Sequence, residues 1–265
     1  MQELDLNSLL DKAINASIKA GDEIMKIYDS NFEFTTKEDN SPLTVADKNS
    51  NAIIEKALKI SKIPFLSEEG KDIPYNERKK WDYLWIVDPL DGTKEFIKRN
   101  GEFTVNVALI ESGSPVLGVV YVPVTGELYL GVRGEGAIKM VIDASTTFTD
   151  AHLENAVALP VAMNRPFTAV GSRSHMNEET EAFLATYRAQ HGEVAILSKG
   201  SSLKMCMVAE GLADVYPRFA PTMEWDTAAG QAVVEAAGFA MLHKETRLPL
   251  EYNKEDLLNP HFIVL

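Results

Sequence analysis

The chain has 265 residues, 45% of them hydrophobic, and a formal net charge of -13 with a pI near 4.9. That length suits two packed halves sharing an interface, and the acidic balance argues against a nucleic-acid polymer as partner, because such binding needs a basic surface. The single cysteine, Cys206, excludes an intramolecular disulfide and a thiolate metal site and fits a reducing compartment.

The opening residues, Met1 to Asn7, lack the positive and apolar regions of a secretory signal, and no apolar run is long enough to span a bilayer. The expectation is a soluble, cytoplasmic protein, monomer or homodimer, with no integral membrane segment. From Leu6 to Tyr28 apolar residues recur at helical spacing (Leu6, Leu10, Ile14, Ile18, Met25, Tyr28), which predicts an amphipathic helix. A second helix is expected from Thr44, with Asp47 three residues on, as in a capping box, and a buried face of Ile53, Ile54, Ala57 and Leu58. Capping alone would explain Asp47.

Short β-type runs follow at 63–66, 83–87, 103–111, 116–124 and 127–132, and the hairpin-length turns between the later ones predict an antiparallel meander. Within this region Asp88-Pro-Leu-Asp91-Gly-Thr93 ends the apolar run Trp85-Ile-Val. Pro89 biases Asp88 towards an extended conformation, so the strand is expected to stop there with its carboxylate beyond the sheet edge. Gly92 permits a tight turn, and a helix from Thr93 would point free amides at the two aspartates. Taken alone, the motif is equally a turn and helix-start signal.

Beyond about residue 145 strands and helices alternate: strand 169–170, helix 177–190, strand 194–197, helix 201–210, strand 215–218, helix 227–237. Such alternation predicts a layered α/β half. The segment Ser145-Thr-Thr-Phe-Thr149 marks the expected boundary between an α+β half with an antiparallel sheet (1–145) and an α/β half (146–265).

Four acidic clusters end apolar runs or start helices: Asp47, Glu68-Glu69, Asp88 with Asp91, and Asp226. Each has a plain structural explanation, Asp226 as a helix N-cap and Glu68-Glu69 as a solvated pair. Their shared placement lets them converge on one sheet edge, where like charges would repel unless cations held them together. Oxygen donors without a His or Cys cluster favour Mg²⁺ over Zn²⁺. The five histidines (His152, His175, His191, His243, His261) show no ligand spacing, and the absence of G-x-S-x-G argues against a serine hydrolase.

In order and spacing, Ser67-Glu-Glu, Asp88-Pro-Leu-Asp-Gly-Thr and Trp225-Asp-Thr-Ala-Ala-Gly resemble the signatures of the inositol monophosphatase superfamily of Mg²⁺-dependent, lithium-sensitive phosphatases. The stretch 91–106, Gly171-Ser-Arg-Ser-His175, Gly200-Ser-Ser-Leu-Lys204 and Tyr216-Pro-Arg-Phe further resemble the bacterial 3′(2′),5′-bisphosphate nucleotidases. The resemblance implies a layered α-β-α-β-α sandwich. It also implies that Glu68, Asp88, the Leu90 carbonyl, Asp91 and Asp226 ligate two or three Mg²⁺, with Mn²⁺ as a substitute and Li⁺ as inhibitor. Asp47 and Thr93 would orient the attacking water with Glu69 close by, and Gly92 and Thr93 would offer amides to the phosphate being removed.

A second phosphate would sit in the C-terminal half. Gly200 and Ser201 open a helix, Lys204 and Arg218 supply charge, and Ser172 or His175 could contact a ribose or base. The expected reaction is metal-assisted removal of the 3′-phosphate of adenosine 3′,5′-bisphosphate, linked to sulfate assimilation. The alternatives are an inositol monophosphatase or sugar bisphosphatase, and a non-catalytic metal-dependent phosphate-binding protein.

Overall fold

The computed structural model describes residues 4–29, the backbone of 34–36 and 42–44, and residues 45–171 and 176–265. In chain order the elements are α1 (Leu6–Tyr28), β1 (Phe34–Thr36), β2 (Pro42–Thr44), α2 (Val45–Leu58), β3 (Phe65–Ser67), α3 (Tyr75–Arg78), β4 (Tyr83–Asp91), α4 (Thr93–Ile97), β5 (Thr104–Glu111), β6 (Ser114–Val122), β7 (Glu127–Val132), β8 (Gly136–Val141) and β9 (Val157–Leu159). There follow β10 (Thr168–Val170), α5 (Glu178–His191), β11 (Ala195–Leu197), α6 (Leu203–Ala209), β12 (Tyr216–Arg218), α7 (Glu224–Ala236), β13 (Met241–His243) and β14 (Phe262–Val264).

A large sheet runs in the order β3-β4-β5-β6-β7-β8-β9, antiparallel throughout except for the parallel pair β3 and β4. Its last strand, β9, lies beyond residue 145. Both faces are covered, which is why 83–87 reads as an unbroken apolar run. Trp85, Val87, Val107 and Leu109 join Ile14, Ile18, Ile54 and Leu58 of α1 and α2 in one core, whereas Leu84, Ile86, Ala108 and Ile110 join Cys206, Ala228, Ala229 and Val233 of α6 and α7 in another. Beyond α7 lie the sheet β12-β14-β13 and the parallel pair β10-β11, backed by α5 through Leu184, Ala169, Val215 and Ile263. The result is an α-β-α-β-α sandwich, as expected.

Two boundaries that bear on the acids differ from the sequence reading. Strand β4 does not stop at Asp88: the ladder pairs Asp88 with Asn106 and Asp91 with Thr104, with a register shift between them. That irregularity accommodates Pro89, which has no N–H to give the ladder. Helix α7 begins at Glu224 rather than Thr227, so Asp226 is not its N-cap; its Oδ2 accepts from the Met223 amide at 2.9 Å, one turn back.

Close packing sets the position of α7. Gly118 and Gly131 face each other across β6 and β7, and a Cβ at either would lie 2.4 Å from the Ala229 carbonyl oxygen or 2.5 Å from Val233 Cα. The two glycines thus form a flat floor beneath α7. Gly131→Ala is expected to cost about 1–3 kcal/mol, the usual range for overpacking a full core, measured by urea unfolding.

Candidate active site

Segments far apart in sequence bring their acids to one place. Asp88 and Asp91 come from the irregular end of β4, and Asp226 from the first turn of α7; one carboxylate oxygen of each lies within 4.8 Å of the others. Asp88 is only 1% exposed. Burial, followed by the charges of Glu68, Asp91, Asp226 and Asp47, holds its carboxyl well above the usual carboxylate range. Burial and then the Asp91 charge push Asp226 up to about 7, against the opposing pull of the Met223 amide and Arg218. Glu68, just past β3, and Asp47, buried in the first turn of α2, are therefore within electrostatic reach of the same point.

Such a cluster is unfavourable by itself, since each added negative charge raises the cost of the others. Hard carboxylate oxygens, close together and with no nitrogen or sulfur among them, suit a hard divalent cation, which converts that repulsion into attraction. The donor set therefore fits a hard divalent cation.

The turn between Asp91 and α4 requires glycine. Gly92 has φ 92°, and a Cβ there would lie 3.3 Å from both the Glu102 carbonyl oxygen and Ser201 Cβ. Thr93 follows as the first residue of α4, and the Leu90 amide donates to Asp88 Oδ1 at 3.1 Å. Glu69 is half-buried beside Glu68 in the turn after β3.

Gly200 is held where its Cβ would lie 2.7 Å from Glu95 Cγ, and its amide donates to Glu102 Oε2 at 2.8 Å. The Ser202 amide donates to Asp91 Oδ2 at 2.7 Å, and Ser201 Oγ lies 2.6 Å from the same oxygen. The amides read from the sequence as an anion seat are thus engaged by carboxylates of the chain. Positive charge comes instead from Lys204 and Arg218. Both line a cavity of about 260 Å³ together with Asp91, Gly92, Ser201 and Asp226. Arg218 Nη2 donates to the Pro221 carbonyl at 3.1 Å, while its buried Nε finds no hydrogen-bond partner among the described residues. A neighbouring cavity of about 220 Å³ shares Lys204, Tyr216 and Arg218. A more spacious groove along α1 and α2, about 820 Å³, contains none of the clustered acids. Ser172 and His175 lie outside the described residues.

Thr104 and Asn106 also belong here, although the sequence reading assigned them no role, as does the Ser202 side chain, whose residue the sequence placed only at a helix-start anion seat. All three are at most 1% exposed and hydrogen-bonded around Asp91. The available signal was Thr104 and Asn106 themselves, two polar residues at i and i+2 inside an apolar strand, which must find partners when buried.

Residues 5–262 match the inositol monophosphatase family. A protein of Escherichia coli (strain K12) named 3′(2′),5′-bisphosphate nucleotidase CysQ is 45% identical over 262 residues, covering 97% of this chain and 99% of that protein. The crystal structure of CysQ from Bacteroides thetaiotaomicron superposes with a TM-score of 0.87 at 51% identity, over 97% of this chain and 96% of that one. The extragenic suppressor protein SuhB from Bartonella henselae gives a TM-score of 0.73 at 26% identity, over 97% and 93% of the two chains.

Proposed function

This chain belongs to the inositol monophosphatase family, and we propose that it is a 3′(2′),5′-bisphosphate nucleotidase that converts adenosine 3′,5′-bisphosphate to AMP and inorganic phosphate. The observation that carries this reading is a single cavity in which Asp91 and Asp226 face the same space as Lys204 and Arg218. A substrate with two phosphates needs both ends: acids that hold cations at the phosphate to be removed, and fixed positive charge at the one that stays. In the cell this reaction would clear a by-product of sulfate activation and sulfotransfer in the cytoplasm.

Glu68, Asp88, the Leu90 carbonyl, Asp91 and Asp226 would hold Mg²⁺, two or three ions, with Mn²⁺ as a substitute and Li⁺ inhibitory. Bound there, the cations lower the pKa of water and offset charge on the phosphate and the departing oxygen. Asp47 and Thr93 hold and orient the attacking water, with Glu69 beside them. The amides of Gly92 and Thr93 cradle the phosphate being removed. Lys204 and Arg218 would grip the 5′-phosphate, with Ser201 lining the cavity between the two ends, and the ribose or base is assigned to Ser172 or His175. On this reading 1–145 carries most of the metal site and 146–265 the specificity, with Asp226 reaching back from the second half.

Phosphate release from adenosine 3′,5′-bisphosphate should exceed release from inositol 1-phosphate under the same Mg²⁺ concentration, and faster turnover of the inositol ester would overturn the assignment. Arg218→Ala is expected to raise KM for the bisphosphate roughly 10- to 100-fold, as losing a hydrogen-bonded charge pair costs about 1.5–3 kcal/mol. A singly phosphorylated 3′-nucleotide should be far less affected.

A further inference from the structure

Asp91 Oδ2 sits at the centre of a group of polar contacts that ties the acid cluster to the segment carrying Lys204. Asn106 Nδ2 lies 3.3 Å from that oxygen and 2.9 Å from Ser202 Oγ. Ser202 Oγ is 2.8 Å from Asp91 Oδ2, and Ser201 Oγ is 2.6 Å from it. Thr104 Oγ1 donates to Asn106 Oδ1 at 2.9 Å and lies 2.6 Å from Ser201 Oγ. Ser202 Oγ also reaches the main-chain oxygen of Asp226 at 2.7 Å. One hydroxyl therefore touches two of the three residues that form the acid cluster.

The orientation of Asn106 is settled by its neighbours. Its Oδ1 accepts from the Thr104 hydroxyl, which leaves Nδ2 as the group directed at Asp91 and Ser202. The Ser202 amide is a donor that cannot be reversed. These donors, buried at 1% exposure or less, fix the plane of the Asp91 carboxylate, because a rotated carboxylate would strand them in a dry interior.

We infer that Asn106 and Ser202 are positioning residues for Asp91: from the sheet side and from the start of α6 they hold Oδ2, leave Oδ1 to reach a cation, and so set the divalent-cation affinity of the chain. The inference rests on the metal site proposed above. It further implies that cation affinity depends on the segment that leads into Lys204, since Ser201 and Ser202 are bonded to a cation ligand.

The test is calorimetric titration of Mn²⁺ into the metal-free full-length chain without nucleotide. Ser202→Ala and Asn106→Ala are each expected to raise the Mn²⁺ Kd about 10- to 100-fold, the usual effect of removing a hydrogen-bond partner of a metal ligand. Thermal melts of the metal-free proteins accompany the titrations. A lower melting temperature with unchanged Mn²⁺ affinity in both variants would make the bonds merely structural and overturn the inference. Should Ser202→Ala fail to fold, Asn106→Ala decides the matter. Failure of the wild-type chain to bind Mn²⁺ would instead remove the metal site itself.

Discussion

Asp88→Asn is expected to lower phosphate release by roughly 10³-fold or more while leaving the metal-free protein at least as stable as the wild type. The two effects have one cause. Asp88 is buried at 1% exposure among the charges of Glu68, Asp91, Asp226 and Asp47, so its own negative charge is a liability to the empty fold. Asparagine keeps the shape and the Oδ1 that accepts from the Leu90 amide at 3.1 Å, and removes only the charge. Holding a cation needs that charge. A cation that supplies about 4 kcal/mol of transition-state stabilisation corresponds to the stated loss in rate. Most substitutions of buried groups lower stability, so an inactive variant that melts no earlier than wild type marks a place where function opposes folding. Phosphate release with Mg²⁺ and thermal melts in chelator check both halves. Activity within tenfold of wild type, or a clearly lower melting temperature, would refute the role given to Asp88.

Removing metal should make the protein lose stability as pH rises, and adding Mg²⁺ should reverse that loss. Asp226 is pushed up to about 7 by burial and the Asp91 charge, whereas an aspartate in the unfolded chain ionises near pH 4. Between those values the native state keeps a proton that the unfolded state has released, so stability declines with pH across that window and is level above it. A shift of that size corresponds to about 4 kcal/mol by pH 8, and burial of Asp88 acts in the same direction. A cation takes the place of the proton. Saturating Mg²⁺ is therefore expected to raise the melting temperature more at pH 8 than at pH 5.5, where protons compete for the same oxygens. Calorimetric melts at the two pH values, with chelator and with Mg²⁺, provide the measurement. An equal Mg²⁺ effect at both would show that these carboxylates do not take up the ion.

Much of the scaffold was legible in local pattern. Helix α1 spans Leu6–Tyr28, as the recurrence of apolar residues predicted, and the meander from β5 to β7 follows its hairpin-length turns. Strands β1, β2, β8, β9, β13 and β14 were not foreseen. The last two are short, and each satisfies its backbone against partners distant in sequence, so no local repeat marks them. The start of α7 was misplaced because Asp226 has the chemistry of an N-cap. Nothing within the segment shows that the preceding turn is anchored by the Glu224 carboxylate accepting the Asn253 and Lys254 amides at 2.6 and 3.0 Å.

The order and kinds of acid along the chain were determined by the sequence alone: carboxylates at the ends of apolar runs, no competing His or Cys set, and glycine at position 92 where the backbone must take a positive φ. Those are local properties, carried by residue chemistry and by spacing within one element. Only the tertiary structure decided that Asp88, Asp91 and Asp226 approach within 4.8 Å of one another, that Arg218 and Lys204 share their cavity, and that Thr104, Asn106 and Ser202 close around Asp91. The first of these facts, through Asp226, depends on how far α7 sinks towards the sheet over Gly118 and Gly131, a distance set by packing between segments about 100 residues apart.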